Sequence, residues 1–183
     1  MHYQLKLILS EEDYLAFNQF HSLQSPFGKK MVRKSQIFFV CAMVVLTALI
    51  FLVFGQTTFA MAYAGVMALF TVVYLLLFKK IVRRSIKAQI KHMKSASKLP
   101  YDPESTLEFY EDTLVEMAAG KRLEQSYDVL ERICIWGEDY IFLYSSSVNA
   151  YILPMAQVKE QVDAEAFLNF LSQKCKTVER CSQ

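Results

Sequence analysis

The sequence predicts an α+β membrane protein: a two-helix transmembrane hairpin carrying a small antiparallel β domain that a C-terminal helix closes. Three observations predict it. Two uncharged apolar runs lie almost back to back. Basic residues crowd both outer flanks of that pair. The last 80 or so residues alternate short β-favouring runs with turn signals and end on an amphipathic helical stripe.

The first apolar run, Ile37 to Phe54, is 18 residues with no charge and a single threonine, Thr47. The second, Phe59 to Phe78, is 20 residues, again uncharged, with Thr71. At about 1.5 Å rise per residue these reach roughly 27 and 30 Å, matching a hydrocarbon core of about 30 Å. Core helices of a soluble protein normally keep a polar face, and neither run has one. A cleaved signal peptide fits poorly, because the first run starts 36 residues in and a second follows at once. The connection Gly55-Gln56-Thr57-Thr58 is short and turn-compatible, so the helices must be antiparallel neighbours.

Charge sets the expected orientation. Between Tyr14 and Tyr101 there is no Asp or Glu, yet 12 of the 20 Lys and Arg residues lie there. Lys29, Lys30, Arg33 and Lys34 precede the first run. Lys79, Lys80, Arg83, Arg84, Lys87, Lys91, Lys94 and Lys98 follow the second. The connecting loop has no Lys or Arg. The positive-inside rule then places both flanks, and both termini, in the cytoplasm. Beyond the second run Val82, Ile86, Ile90 and Met93 continue an apolar helical stripe, with cations on the other faces. Lys29, Lys30, Arg33, Lys34, Lys79, Lys80, Arg83, Arg84, Lys87 and Lys91 are the candidates for contact with anionic lipid, worth roughly 1 kcal/mol per cation near the surface. Nucleic acid is not expected as a partner, since the basic stretch lacks interleaved aromatics.

Ala60, Ala64 and Ala68 recur every four residues beside Gly65. Small residues at that spacing let backbones approach in lipid, so they are expected to pack the hairpin or to form a homodimer face. No Asp, Glu, Lys, Arg or His lies inside either run, which argues against an ion pathway built by this chain alone.

Ahead of the hairpin, His2 to Leu9 reads as a strand. Ser10 followed by Glu11-Glu12-Asp13 reads as an N-cap and acidic first turn, with Leu9 and Tyr14 as its staple. Ser25-Pro26-Phe27-Gly28 is expected to break that helix. Behind the hairpin, Leu99-Pro100-Tyr101-Asp102-Pro103 is expected to be a linker. The stretch after it is acidic, with 15 Asp and Glu against 7 Lys and Arg. Strands are expected over Ser105–Tyr110, Leu114–Met117, Arg122–Ser126, Leu130–Trp136, Tyr140–Tyr144 and Ala150–Pro154. Turns are expected at Ala119-Gly120 and Gly137-Glu138-Asp139. Asp163 should cap a helix presenting Phe167, Leu168, Phe170 and Leu171 to the core. The expected division is residues 1–28, the hairpin with its basic helix at 29–98, and the β domain at 99–183.

The order of these features resembles the YcxB-like family of bacterial membrane proteins. The residues that carry the resemblance are the capped N-terminal strand and helix, the basic-flanked hairpin, Glu108-Phe109-Tyr110-Glu111-Asp112, Ile135-Trp136-Gly137-Glu138-Asp139-Tyr140, Tyr151-Ile152-Leu153-Pro154 and the closing Phe-Leu helix. The resemblance implies a pleckstrin-homology-like (PH-like) cytoplasmic domain in a bacterial plasma membrane and carries over no catalytic residue.

Chemistry is sparse. His2, His21 and His92 are scattered, and Cys41, Cys134, Cys175 and Cys181 lack metal or disulfide spacing. Glu104, Glu108, Glu111, Asp112 and Glu116 read as solvated strand faces and turns. Ser145-Ser146-Ser147 reads as a hairpin loop, and Trp136, Tyr140 and Tyr144 as strand aromatics. No phosphate loop, GxSxG or HExxH occurs. No catalysis, cofactor or metal is therefore expected. The expected role is a membrane-anchored interaction module touching lipids and a protein partner. The alternative is an accessory subunit of a transporter or bacteriocin-immunity-type system acting through its helices.

Overall fold

A computed structural model describes residues 1–55, 58–95, 101–175 and 177–181. The elements run β1 (Tyr3–Ile8), α1 (Glu11–Leu23), α2 (Pro26–Phe54), α3 (Thr58–Ser95), β2 (Glu104–Phe109), β3 (Thr113–Ala118), β4 (Lys121–Ser126), β5 (Arg132–Trp136), β6 (Tyr140–Tyr144), β7 (Ala150–Pro154), α4 (Met155–Gln161), α5 (Ala164–Lys174) and β8 (Val178–Cys181). They form two compact units. One comprises residues 1–18 and 90–183, the other residues 19–89. The expected N-terminal segment 1–28 is thus divided between them.

In the first unit the strands form two four-stranded sheets, ordered β1-β2-β3-β4 and β7-β6-β5-β8. Every pairing is antiparallel except β5 with β8, so the second sheet is mixed rather than purely antiparallel. The six β-domain strands expected from β-favouring runs between turn signals all form. One starts late: Ser126 caps a single 3-10 turn at Tyr127–Val129, so Leu130 closes that turn and β5 begins at Arg132. The linker residues Leu99 and Pro100 lie outside the described residues.

The alternation decides the faces. Leu5 and Leu7 of β1, Leu107 and Phe109 of β2, Leu114 of β3, Ile133 and Ile135 of β5, Ile141 and Leu143 of β6, and Leu153 of β7 share one core with Phe167 and Leu171 of α5. The opposite face of β6 is buried too. Phe17 of α1 sits 5.4 Å from Phe142 and 6.0 Å from Tyr144, ring centre to ring centre. Tyr140 donates its hydroxyl hydrogen bond to Asp13 at 3.0 Å. The first turns of α1 therefore pack on the outer side of the second sheet. Ser10 starts α1 as expected. Its hydroxyl accepts from the Asp13 amide at 3.2 Å, and the Asp13 carboxylate accepts from the Ser10 amide at 2.8 Å. That reciprocal pair is a capping box with Asp at the third position.

β1 is an edge strand, and two glutamines cover it. The Gln157 side chain accepts from the Ile8 amide at 2.9 Å and donates to the Ile8 carbonyl at 2.8 Å. Gln161 does the same with Lys6, at 2.8 Å for both bonds. The geometry follows from pitch. Four helical residues rise about 6 Å, and two strand residues span about 6.6 Å. Side chains four apart on α4 therefore meet alternate residues of β1. The two amides imitate a neighbouring strand. Replacing both by alanine is expected to cost about 1 kcal/mol per lost pair and to speed amide exchange at Lys6 and Ile8. Unchanged protection at those two amides would refute the role.

In the second unit, α2 begins at Pro26, eleven residues before the apolar run. Ser25-Pro26-Phe27-Gly28 does end α1, but it also starts α2. Ser25 is the N-cap and Pro26 sits in the first turn, where its missing N–H costs nothing. Ser25 is fully buried. Its hydroxyl accepts from the Gly28 amide at 2.9 Å and donates to the His21 carbonyl at 2.5 Å. α3 runs unbroken from Thr58 to Ser95, so the apolar run and the basic stripe are one helix. Both α2 and α3 are long and apolar enough to cross a membrane.

Candidate functional site

Three surfaces carry the residues the sequence singles out. The first is the cationic collar. Lys29, Lys30, Arg33 and Lys34 occupy the opening turns of α2, and Lys79, Lys80, Arg83, Arg84, Lys87 and Lys91 the second half of α3. All ten are exposed. The pairs 29/33, 30/34, 79/83, 80/84 and 87/91 are each four apart, so each flank carries adjacent stripes of like charge. Among the described residues none of the ten forms an ion pair. Lys94 does, with Glu11 at 2.8 Å, and that hydrogen-bonded contact raises its pKa.

The second surface is inside the hairpin. Phe39 stacks on Tyr74 with ring centres 3.8 Å apart, and Phe54 meets Phe59 edge-on at 5.4 Å near the connection. Between those contacts lies an apolar cleft of about 870 Å³. Ala64 and Ala68 line it with Thr47 and Thr71. The threonines need no partner across the cleft, because each donates to the carbonyl four residues earlier, Thr47 to Met43 at 2.9 Å and Thr71 to Met67 at 2.8 Å. Ala60 is buried at the loop end of α3.

The third surface is the β domain. Trp136 stacks on Tyr140 at 5.9 Å, and Tyr140 on Phe142 at 5.7 Å. The Arg132 guanidinium lies 4.2 Å over the Tyr144 ring. Its Nε and Nη2 are shielded and find no acceptor among the described residues. Sequence reasoning missed this arginine, whose place over Tyr144 depends on the register of β5 with β6. It also misread Glu116. Rather than a solvated strand-face acid, Glu116 is half-buried, and desolvation lifts its carboxyl above the usual range while a Tyr151 hydroxyl pulls it down. Glu111 is the reverse: Lys174 at 2.9 Å and His2 at 2.6 Å hold its carboxyl low.

Nucleophile chemistry is poorly served by these positions. Burial pushes the Cys134 thiol up to about 12, so it stays protonated. Ser146 spends its hydroxyl accepting from the amides of Val148 and Asn149, at 3.3 and 3.0 Å, within the loop. Among the described residues no group of three or more His, Cys, Asp or Glu is placed to hold a metal ion.

Fold and surfaces together define a class: an α+β protein with two long apolar helices and a mixed two-sheet domain. No family model matches the chain, and no curated protein or solved structure matches it.

Proposed function

We propose that this protein is a membrane-anchored interaction module of a bacterial plasma membrane. The hairpin crosses the bilayer through Ile37–Phe54 and Phe59–Phe78. Both termini and the β domain lie on the cytoplasmic side. The domain offers a surface to a protein partner or to anionic headgroups, in an architecture like that of the YcxB-like proteins. Its two sheets closed by α5 suit a PH-like module.

One observation carries the reading. The most apolar 18-residue window of α2 is 0% buried and that of α3 is 6% buried. A soluble core helix hides its apolar side chains, whereas these turn Leu52, Val53, Leu69 and Leu76 outward. Hydrocarbon is the medium in which that surface costs nothing. The cationic collar at the outer ends of the same helices supports the proposed orientation.

A periplasm-dependent reporter enzyme inserted at Thr57, compared with the same reporter after Gln183, tests it. Activity at Thr57 and none after Gln183 is expected. Activity only after Gln183 would invert the orientation, and recovery of the chain in the soluble fraction would end the anchor reading.

The hairpin cleft favours a second reading, in which the protein is an accessory subunit gripping another membrane protein. Photo-crosslinkers at Ala68 and at the exposed Glu138 separate the two. A partner captured from Ala68 alone supports the helical role, and one captured from Glu138 alone supports the module.

A further inference from the structure

The first sheet has two edges, and the protein treats them differently. At β1, Gln157 and Gln161 occupy the outward amides and carbonyls of Lys6 and Ile8. At the other edge, β4 is the last strand in the order, and nothing among the described residues pairs with its far side. Five of its six residues are exposed.

Register says which groups face outward. β3 and β4 join through the two-residue turn Ala119-Gly120, both with positive φ, at 49° and 74°. Ala118 and Lys121 are the pair flanking that turn. In such a hairpin the flanking pair exchanges both hydrogen bonds, so Lys121 and Leu123 direct their backbone groups toward β3. Arg122 and Glu124 direct theirs outward. Their side chains share one face, and Leu123, 48% exposed, projects on the other, the face that carries Leu114.

We infer that β4 is a self-association edge, pairing antiparallel with β4 of a second copy about a two-fold axis at Leu123. This register sets Arg122 opposite Glu124 of the second copy, twice, and both residues offer outward N–H and C=O groups, as the ladder requires. Leu123 meets Leu123 of the second copy at the close, non-hydrogen-bonded position. The segment Arg-Leu-Glu is thereby complementary to itself. Cations on a sheet edge ordinarily deter pairing. Here the two-fold places each arginine against a carboxylate instead. Within one copy Arg122 and Glu124 are 3.9 Å apart and both well exposed, a contact too weak to hold them from that exchange.

Site-directed disulfide formation in the full chain, solubilised in mild detergent with Cys41 and Cys181 replaced by serine, tests this. Leu123→Cys is expected to give a covalent dimer on mild oxidation, at least tenfold more than Lys121→Cys, because only the former places two thiols across the axis. Glu124→Pro removes one outward N–H and leaves the β3 ladder intact, so in the Leu123→Cys background it should abolish the crosslink. Glu124→Arg should do the same, and adding Arg122→Glu should restore it. Equal crosslinking at both positions, none at Leu123→Cys, or persistence through Glu124→Arg would each overturn the inference. So would capture of a different protein at Leu123→Cys in cells.

Discussion

Phe167→Ala is expected to lower the unfolding free energy by about 3–5 kcal/mol. Asp163 begins α5 by accepting from the amides of Glu165 and Ala166, both at 3.0 Å, and so fixes where the helix starts. Phe167 is then one turn in and fully buried. Its ring stands edge-on to Phe109 of β2 at 5.0 Å and to Tyr3 of β1 at 5.2 Å. Three elements distant in sequence meet on this one side chain. Alanine leaves a cavity that strands on either side cannot close. Trp136, the chain's single tryptophan, reports the transition by its fluorescence in urea. A loss under about 1 kcal/mol would mean that α5 does not close the core. Phe167→Leu, which keeps most of the volume, should cost less than half as much.

Gly28→Ala is the second large effect, about 3 kcal/mol, and it acts locally. A Cβ at this position would meet the His21 carbonyl oxygen and would lie 2.6 and 2.7 Å from the carbonyl carbon and oxygen of Ser22. These are backbone atoms of the last turns of α1, so no rotamer change relieves the clash. Relief requires opening the α1–α2 corner, which breaks the Ser25 hydrogen bonds to His21 and Gly28. Trypsin supplies a local readout, because Lys29 and Lys30 follow immediately. Cleavage there should rise sharply in Gly28→Ala. Gly65→Ala is the control: among the described residues, nothing outside its own stretch of helix lies within 4 Å of its Cβ position, and alanine is the better helix former. Equal cleavage of the Gly28 variant and the native protein would show that the corner tolerates a methyl group.

The apolar helices, the six β-domain strands and the capped helices were legible because each rests on a short-range signal. Eighteen to twenty uncharged residues define a span without reference to anything else. The β-favouring run from Tyr140 to Tyr144, set off by the Gly137-Glu138-Asp139 turn, and the Asp163 cap likewise act within a few residues. β8 was not legible. Val-Glu-Arg-Cys has no alternation of its own and becomes a strand only by adding parallel to β5. The seven-residue α4 was too short for its period to show. Its decisive feature, Gln157 and Gln161 against β1, links residues about 150 positions apart.

The candidate surfaces divide in the same way. The ten collar cations could be named from sequence because charge adjoining an apolar run is a local pattern. The alanine repeat could be named, but not its surroundings. Aromatic contacts at Phe39, Tyr74, Phe54 and Phe59 hold the helices, and Ala64 and Ala68 line the cleft that remains.

Sequence by itself determined the two apolar helices, their charged flanks and the alternating strands, since hydropathy, charge and turn chemistry act over a few residues. Tertiary structure alone decided that β1 joins a sheet with β2, that glutamines close that edge while the far side of β4 pairs with nothing among the described residues, and that Glu116 and Arg132 lose part of their water. Those outcomes depend on which distant backbone groups meet, and hydrogen-bond pairing between remote segments leaves no local trace in the chain.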